Sequence, residues 1–361
     1  MNKKLIALAI AGAFAAPVAM ADSGNVVIYG VASVSYDNVN GTSTGSGGVA
    51  DETRSRISSN NSYIGFKGSE DLGNGLSAIW QIENAVALDQ QDINNTSATA
   101  TTGTQSRRNT FAGISSKTMG NLTFGVQDTP LKTSTGPLDV FKDTLADYRA
   151  TFATTSVRAQ NSAMYTSPDL SGFVGKVLIG AQNEAGNGND NDPRFYSLSG
   201  TYANGPIFAA LAYENGRTVS VTNVESTTKT TRLGFGYNFG DAKVGVAYVK
   251  DKADTAGTTT VDSKAWYLSG AYKMGANTLK AAYTKRDKTI SGGADNGAKQ
   301  WAVGVDHAMS KRTNVYALYT TTRNDSAGTY SVGGGATGIA AVGSVAGGTA
   351  RGLSLGMVHS F

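Results

Sequence analysis

The chain has 361 residues, with 31 Lys and Arg against 27 Asp and Glu, 45 Gly, 6 Pro and no Cys. The near-balanced charge excludes a nucleic-acid footprint. The lack of Cys excludes a disulfide scaffold and a thiolate metal centre, and low Pro argues against a disordered Pro/Gly segment.

In chain order, residues 1–21 come first (MNKKLIALAIAGAFAAPVAMA). Lys3 and Lys4, the apolar run that follows them and the small-x-small end Ala19-Met20-Ala21 predict a cleaved signal peptide. Taking its two lysines from the 31 basic residues leaves 29 against 27, a net +2 for residues 22–361 where the whole chain has +4. No stretch of this mature part has 18 successive apolar residues, so no helical membrane span is expected.

The first β-rich run is 26–36, and 37–61, rich in Gly, Ser, Thr and Asn, reads as a long loop. Strands at 62–68 and 76–83 flank the tight turn 69–75, and a polar loop follows to Arg107. The rhythm then repeats. Strand pairs are predicted at 108–115 and 121–126, 161–166 and 172–182, 194–202 and 207–214, 230–239 and 242–250, 263–273 and 277–286, and 298–307 and 313–322. A last strand covers 351–361, RGLSLGMVHSF. Sixteen strands, seven short turns and eight long loops thus alternate.

The faces of these strands differ. Leu233, Phe235, Tyr237 and Phe239 alternate with Arg232, Gly234, Gly236 and Asn238. Leu353, Leu355 and Met357 alternate with Gly352, Ser354 and Gly356, and the chain stops on Phe361. Period two with one apolar and one small or polar face is a half-buried strand. A strand with lipid on one face and water on the other needs paired neighbours on both edges, so the sheet must close. An even count with short turns on one rim predicts an all-β, transmembrane, antiparallel 16-stranded outer-membrane β-barrel.

Several motif matches fail on context. Gly352-Leu353-Ser354-Leu355-Gly356 fits a nucleophile elbow, but it lies inside an alternating strand and no acid follows it. The G-x-G-x-x-G match at 333–338 lies in a Gly/Ala loop with no receiving helix. Asp190 and Asp192 read as an Asx-rich turn without calcium-loop spacing. His307 and His359 are too few for a transition-metal site, and no cofactor is expected.

Residues 64–84, IGFKGSEDLGNGLSAIWQIEN, resemble the early hairpin of the Neisseria-type and related betaproteobacterial general porins. Residues 109–127 resemble the next hairpin, and the terminal GMVHSF is similar to the family's ending. Where the family often has an Arg two residues before the Gly of IGFKG, this chain has Tyr63, so a thinner or shifted basic wall is expected. The resemblance implies a homotrimeric, water-filled, sixteen-stranded diffusion channel in the outer membrane of a Gram-negative bacterium. Its implied surroundings are outer-membrane lipid and lipopolysaccharide, and its cargo ions and small hydrophilic solutes. A substrate-selective channel and an adhesin or receptor on a barrel scaffold remain alternative readings. A barrel lipase would need Ser and His oriented together.

The third long loop differs from the rest. Gly136-Pro137 predicts a helix start, and Leu138, Phe141, Leu145 and Tyr148 follow at helical spacing. Asp139, Asp143 and Asp147 fall on the opposite face at i, i+4 and i+8. The expectation is a loop folded into the barrel, its apolar stripe on the wall and its carboxylates at a constriction. Lys67, Arg232 and Lys280, of lumen parity, with Arg108 and Arg149, would stand across the gap. Such a transverse field filters ions by charge, here weakly and leaning to anions.

Overall fold

The structure, a computed structural model, describes residues 26–45, 48–89, 108–155, 157–181, 194–219, 224–289, 293–333 and 345–361. The expected signal peptide, Asp190, Asp192 and most of the 333–338 glycine motif lie outside these residues.

The strands are β1 (Val26–Gly45), β2 (Gly48–Ser59), β3 (Tyr63–Gly73), β4 (Leu76–Ala85), β5 (Thr110–Ser116), β6 (Gly120–Asp128), β7 (Arg158–Thr166), β8 (Phe173–Ala181) and β9 (Arg194–Asn204). They continue with β10 (Ile207–Val219), β11 (Glu225–Asn238), β12 (Ala242–Thr255), β13 (Thr258–Met274), β14 (Asn277–Arg286), β15 (Ala298–Ala308), β16 (Thr313–Asn324) and β17 (Thr349–Ser360). One short helix, α1 (Pro130–Ser134), lies between β6 and β7.

All pairings given between the strands are antiparallel, and each strand from β3 onward pairs with the next. The seventeen segments occupy sixteen places, because β1 pairs with β2 over its second part and with β3 over its first. The ring closes where Val31 faces Ser360 and Gly41 faces Ala350. The seam ends in a reciprocal pair, Gly30 N to Phe361 O and Phe361 N to Gly30 O, both 3.1 Å. Closure satisfies the edge groups that lipid could not.

One expectation is overturned here. Residues 37–61 are not a long loop but the rising half of β1 and the whole of β2. Likewise β12 and β13 run on to a tight turn at Ala256–Gly257, where a loop over 251–262 was expected. Polar, Gly- and Ser-rich sequence reads as loop, and here the outward face is polar too (Asn38, Asn40, Thr53, Ser55), so no apolar alternation betrays the strands.

The parity of the strands is as the sequence indicates. Leu233, Phe235, Trp266, Leu268, Leu353 and Leu355 are exposed, while Arg232, Tyr267, Ser269 and Ser354 between them are buried. Outward is the apolar belt, and the opposite face is small and polar. What buries that face is not another sheet. Both apolar clusters combine wall residues with residues of the β6–β7 connection: Phe141 and Leu145 in one, Leu138, Tyr148 and Phe152 in the other.

Candidate functional site

Residues 129–157 leave the wall after β6. Thr129 caps α1, its hydroxyl accepting from Lys132 N at 3.2 Å, and Pro130 opens the helix where a missing N–H costs nothing. Pro137 does start a helical turn, but only the 3₁₀ piece Gly136–Leu138. A second 3₁₀ piece is Tyr148–Ala150, and no helix joins them. The i, i+4, i+8 face expected for the three aspartates is therefore not formed. Asp143 has a left-handed φ of 56°, which breaks any helical run through it.

The apolar residues of this segment are buried all the same. Leu138, Phe141, Leu145 and Tyr148 are 5%, 0%, 0% and 4% exposed. The seats of Leu138, Phe141 and Leu145 are glycines of the wall, while Tyr148 packs on Tyr267. A Cβ on Gly234 or Gly236 would come within 2.9 Å of Leu138, and one on Gly304 within 2.9 Å of Phe141. The lumen-parity glycines are thus places where the segment needs bare backbone, as close packing demands.

Polar ties fix the segment along its length. Leu131 N donates to Ser197 Oγ at 3.0 Å, and Arg232, fully buried, donates to Leu131 O at 3.3 Å. Ser269 Oγ donates to Leu138 O at 2.7 Å, and Gly333 N to Leu145 O at 2.8 Å. At the far end Arg286 donates to Thr151 O (2.6 Å) and Phe152 O (2.8 Å), and both its terminal nitrogens reach Asp251 at 3.0 Å. The strand partners, on β9, β11, β13 and β14, are all on the face opposite the apolar belt.

The sequence-selected charges separate into two groups. Asp139 and Asp147 turn into the segment. Asp139 accepts from Phe141 N (2.9 Å), Tyr148 N (3.4 Å) and Tyr267 OH (3.2 Å). Burial, with Asp147 beside it, pushes its carboxyl above the usual range, and those three donors pull against the rise. Asp147 is the N-cap of the second 3₁₀ piece and also takes Asp143 N at 2.7 Å. Arg149 binds Asp143 at 2.5 Å and Asp147 at 2.6 Å. Burial draws its pKa down, but the hydrogen bonds and charges of Asp147 and Asp143 outweigh that and hold it above the ordinary value.

The second group leads across to the wall. Asn61 sits in the break between β2 and β3 with φ 59°, and its amide donates to Asp143 at 2.8 Å. Arg108 donates to Asn61 Oδ1, lies 3.6 Å from Glu83 and stacks 4.4 Å over the Tyr63 ring. The guanidinium missing at position 63 is thus supplied above that ring by Arg108. Lys67 is exposed on β3, over the Tyr29 ring. Lys280 pairs with Asp306 at 2.7 Å and sits over Phe141.

A cleft of about 430 Å³ runs along the segment between Asp128, Lys132, Lys142, Tyr148 and Arg149. Lys132 pairs with Asp128 at 2.7 Å, and burial draws its ammonium below the ordinary value against that pairing. Lys142 is exposed.

Asn61, Glu83, Lys142, Asp251 and Arg286 were not singled out from the sequence. Arg286 shares the parity of Lys280, so strand alternation could have found it. Asp251 fell one residue beyond the predicted end of its strand. Nothing in a polar run such as Ser58–Ser62 marks where a strand breaks.

No catalytic arrangement forms at the elbow-like motif, since β17 is a continuous strand through Ser354. His359 bonds Thr313 and His307 bonds Asn277. Among the described residues no group of three metal-ligating side chains occurs.

A closed barrel with an apolar outer belt, long hairpins at one rim and a charged segment on its inner face defines a membrane channel. A family model for Gram-negative porins matches residues 7–327. The major outer membrane protein P.IB of Neisseria meningitidis is 30% identical over 325 residues, covering 87% of this chain and 91% of that protein. Outer membrane porin protein 32 of Delftia acidovorans is 28% identical, covering 100% of both. Among solved structures, an anion-selective porin from Comamonas acidovorans superposes with TM-score 0.79 at 23% identity, over 93% of this chain and 99% of that one. A trimer form of Vibrio cholerae OmpT superposes with TM-score 0.67 at 18% identity, over 93% and 99%. The chain belongs to the Gram-negative porin family. It is a general porin of the outer membrane, a channel and not an enzyme.

Proposed function

We propose that residues 129–157 lie across the lumen and set its narrowest passage. The observation that carries this reading is the span of the ties, from Ser197 on β9 to Asn61 beside β3. A segment bound to the polar face at both places must cross the space the barrel encloses. The passage is bordered by Lys142, Asp143 and Arg149 of the segment and by Arg108 and Lys67 of the wall, with Asn61 bridging Asp143 to Arg108 at its edge.

The charges of that passage favour anions weakly. Asp143 and Asp147 are both engaged by Arg149, Glu83 faces Arg108, and Lys142 and Lys67 have no carboxylate partner among the described residues. A narrow low-dielectric constriction concentrates this residual positive field. Selectivity in the Comamonas neighbour has the same sign, though the likeness there is one of fold. Small hydrophilic solutes and ions are the cargo, and no binding constellation for one solute is required.

Reversal potential in a salt gradient tests this. Lys142→Gln should reduce anion preference, and Asp143→Asn should raise it, both effects shrinking at high salt through screening. Unchanged reversal potentials at low salt in both variants would place the segment outside the ion path. Asparagine at position 143 removes the charge and keeps an Oδ1 that can accept from Asn61, so the tie to the wall is retained.

The same reading carries a mature chain beginning at Asp22, assembly as a homotrimer, and an annulus of outer-membrane lipid including lipopolysaccharide. Intact mass of protein taken from outer membranes checks the first.

A further inference from the structure

The inner wall below the segment carries a pattern of its own. β3 begins beside Asn61, at the segment's edge, and runs down to the tight turn between β3 and β4. Tyr63, Gly65 and Lys67 share one face of it. Tyr29 of β1 stands opposite Gly65 in the register, and Glu83 of β4 stands opposite Gly65 on the other side. The glycine lets one side chain bridge three strands. A Cβ on Gly65 would come within 2.5 Å of the Tyr29 ring. On the bare backbone the ring lies across β3, and its hydroxyl donates to Glu83 Oε1 at 2.8 Å.

Four side chains then follow in order along the wall. Lys67 Nζ lies 4.9 Å from the centre of the Tyr29 ring. Tyr29 and Tyr63 meet edge to face with centroids 6.2 Å apart. The Arg108 guanidinium covers Tyr63 at 4.4 Å. The strip reads cation, ring, ring, cation, and leads from the segment toward the short-turn rim. Other inward tyrosines are closed off: Tyr267 and Tyr316 are 2% and 7% exposed, packed with Tyr148 and Phe141 of the segment. Tyr29 and Tyr63 are only half-buried, and Lys67 is exposed.

The two cations of the strip differ. Arg108 is committed, donating to Asn61 and facing Glu83 at 3.6 Å. Glu83 is committed in turn, to Tyr29 and Arg108. Lys67 has a ring for a neighbour and no carboxylate partner among the described residues. A ring face holds an exposed ammonium less strongly than a carboxylate does. An arriving carboxylate therefore draws Lys67 off Tyr29 without breaking an ion pair, and the ring face it leaves is open to an apolar surface. A second ring is the best match for that surface, because stacked or edge-on rings gain contact energy beyond the area they bury.

We propose that Lys67, Tyr29 and Tyr63 form a subsite for monocyclic aromatic carboxylates, the ammonium on the carboxylate and the solute's ring against the tyrosines. The subsite grades solutes among the anions and leaves the channel open to the rest. The inference rests on the channel reading for access to this wall, and not on the charges of Lys142 or Asp143. A neutral aromatic lacks a partner for Lys67, and a saturated acid lacks one for the two rings.

Benzoate and cyclohexanecarboxylate are the probes, alike in charge and close in size, with the ring π-system in one alone. Their binding to the purified full-length protein in deuterated detergent is titrated by saturation-transfer NMR, and their block of chloride current is read in planar bilayers. The wild type should hold benzoate about fivefold more tightly than cyclohexanecarboxylate, as one added ring contact gives. Tyr29→Leu combined with Tyr63→Leu should bring the two acids level. Tyr29→Phe combined with Tyr63→Phe should keep the preference, which separates a lost ring from a lost fold. Lys67→Gln, a change at an exposed side chain, should weaken both acids. Equal binding of the two acids by the wild type, a preference that survives in the Leu pair, or undiminished binding in Lys67→Gln would each overturn the proposal. Benzoate binding without any block of current would leave the subsite standing and contradict the placement of Lys67 at the passage.

Discussion

The outer wall of β11–β17 and the inner segment 129–157 are built on opposite principles. The wall repeats: each strand sets apolar side chains outward at every second position, and neighbours copy it in register. The segment repeats nothing. It has three short helical pieces, a left-handed Asp143 and buried side chains held by partners on many strands. A wall side chain faces lipid and gains little from any one neighbour, so the wall's stability is spread over its hydrogen-bond ladder. The segment's stability sits in a few seats and clamps. Single changes should therefore act differently in the two regions.

The clamp at Arg286 offers the largest effect. Arg286 and Asp251 are 3% and 4% exposed as a pair, and Arg286→Ala strips Asp251 Oδ2 and two carbonyls of their donors, leaving the buried carboxylate only Thr155 and Thr230 on Oδ1. Breaking such a pair from one side costs about 3–5 kcal/mol. The expected result is a lower thermal transition of the folded protein, with open-channel current larger or noisier as the segment's end comes loose. A transition and current equal to the wild type would mean that the clamp holds nothing.

Phe141→Ala comes next. Phe141 is fully buried against Gly304 and under Lys280, and truncating a buried Phe costs about 3–5 kcal/mol. Because the loss is confined to the segment, the barrel should still assemble. The contrast is Leu268→Ala on the outer face, where 57% exposure leaves lipid to fill the space. Its transition should move far less than that of Phe141→Ala, and equal shifts would erase the distinction between the two regions.

The wall can be broken by charge instead. Leu268→Lys puts an ammonium in the apolar belt at a cost of about 2–4 kcal/mol near the midplane. The readout is folded yield in bilayers, with current unchanged in the molecules that do fold. The smallest effect belongs to the seam. Deleting Phe361 removes the two reciprocal bonds with Gly30, so folded yield should fall while the current of assembled pores stays the same.

How much of this the sequence discloses follows the same division. Arg232, Gly234 and Leu233 announce their faces because period two is imposed by the backbone itself. The strand count, the ring and the outer belt were therefore legible. The rise of β1 and β2 above the rim was not, since residues such as Asn38, Asn40, Thr53 and Ser55 are polar on the outward face as well, pairing there through hydrogen bonds. In the segment, spacing identified the right apolar residues for the wrong local reason. Leu138, Phe141 and Leu145 are buried because glycines of distant strands make room for them, and Tyr148 because it packs on Phe152 and Tyr267, not because a helix aligns them. The aspartates show the other limit. Asp139 and Asp147 look like lumen charges in the sequence, but each finds backbone N–H donors within the segment, which only the fold discloses.

A thiol placed on the segment reads directly whether the segment narrows the path of the ions. The chain contains no Cys, so Lys142→Cys gives a single reactive thiol. The decisive measurement is single-channel current before and after complete modification of that thiol by a bulky cationic methanethiosulfonate, with Leu268→Cys as the outward-facing control. A segment across the lumen gives a stepwise fall in current for Lys142→Cys and none for Leu268→Cys. Undiminished current through fully modified Lys142→Cys pores would contradict it.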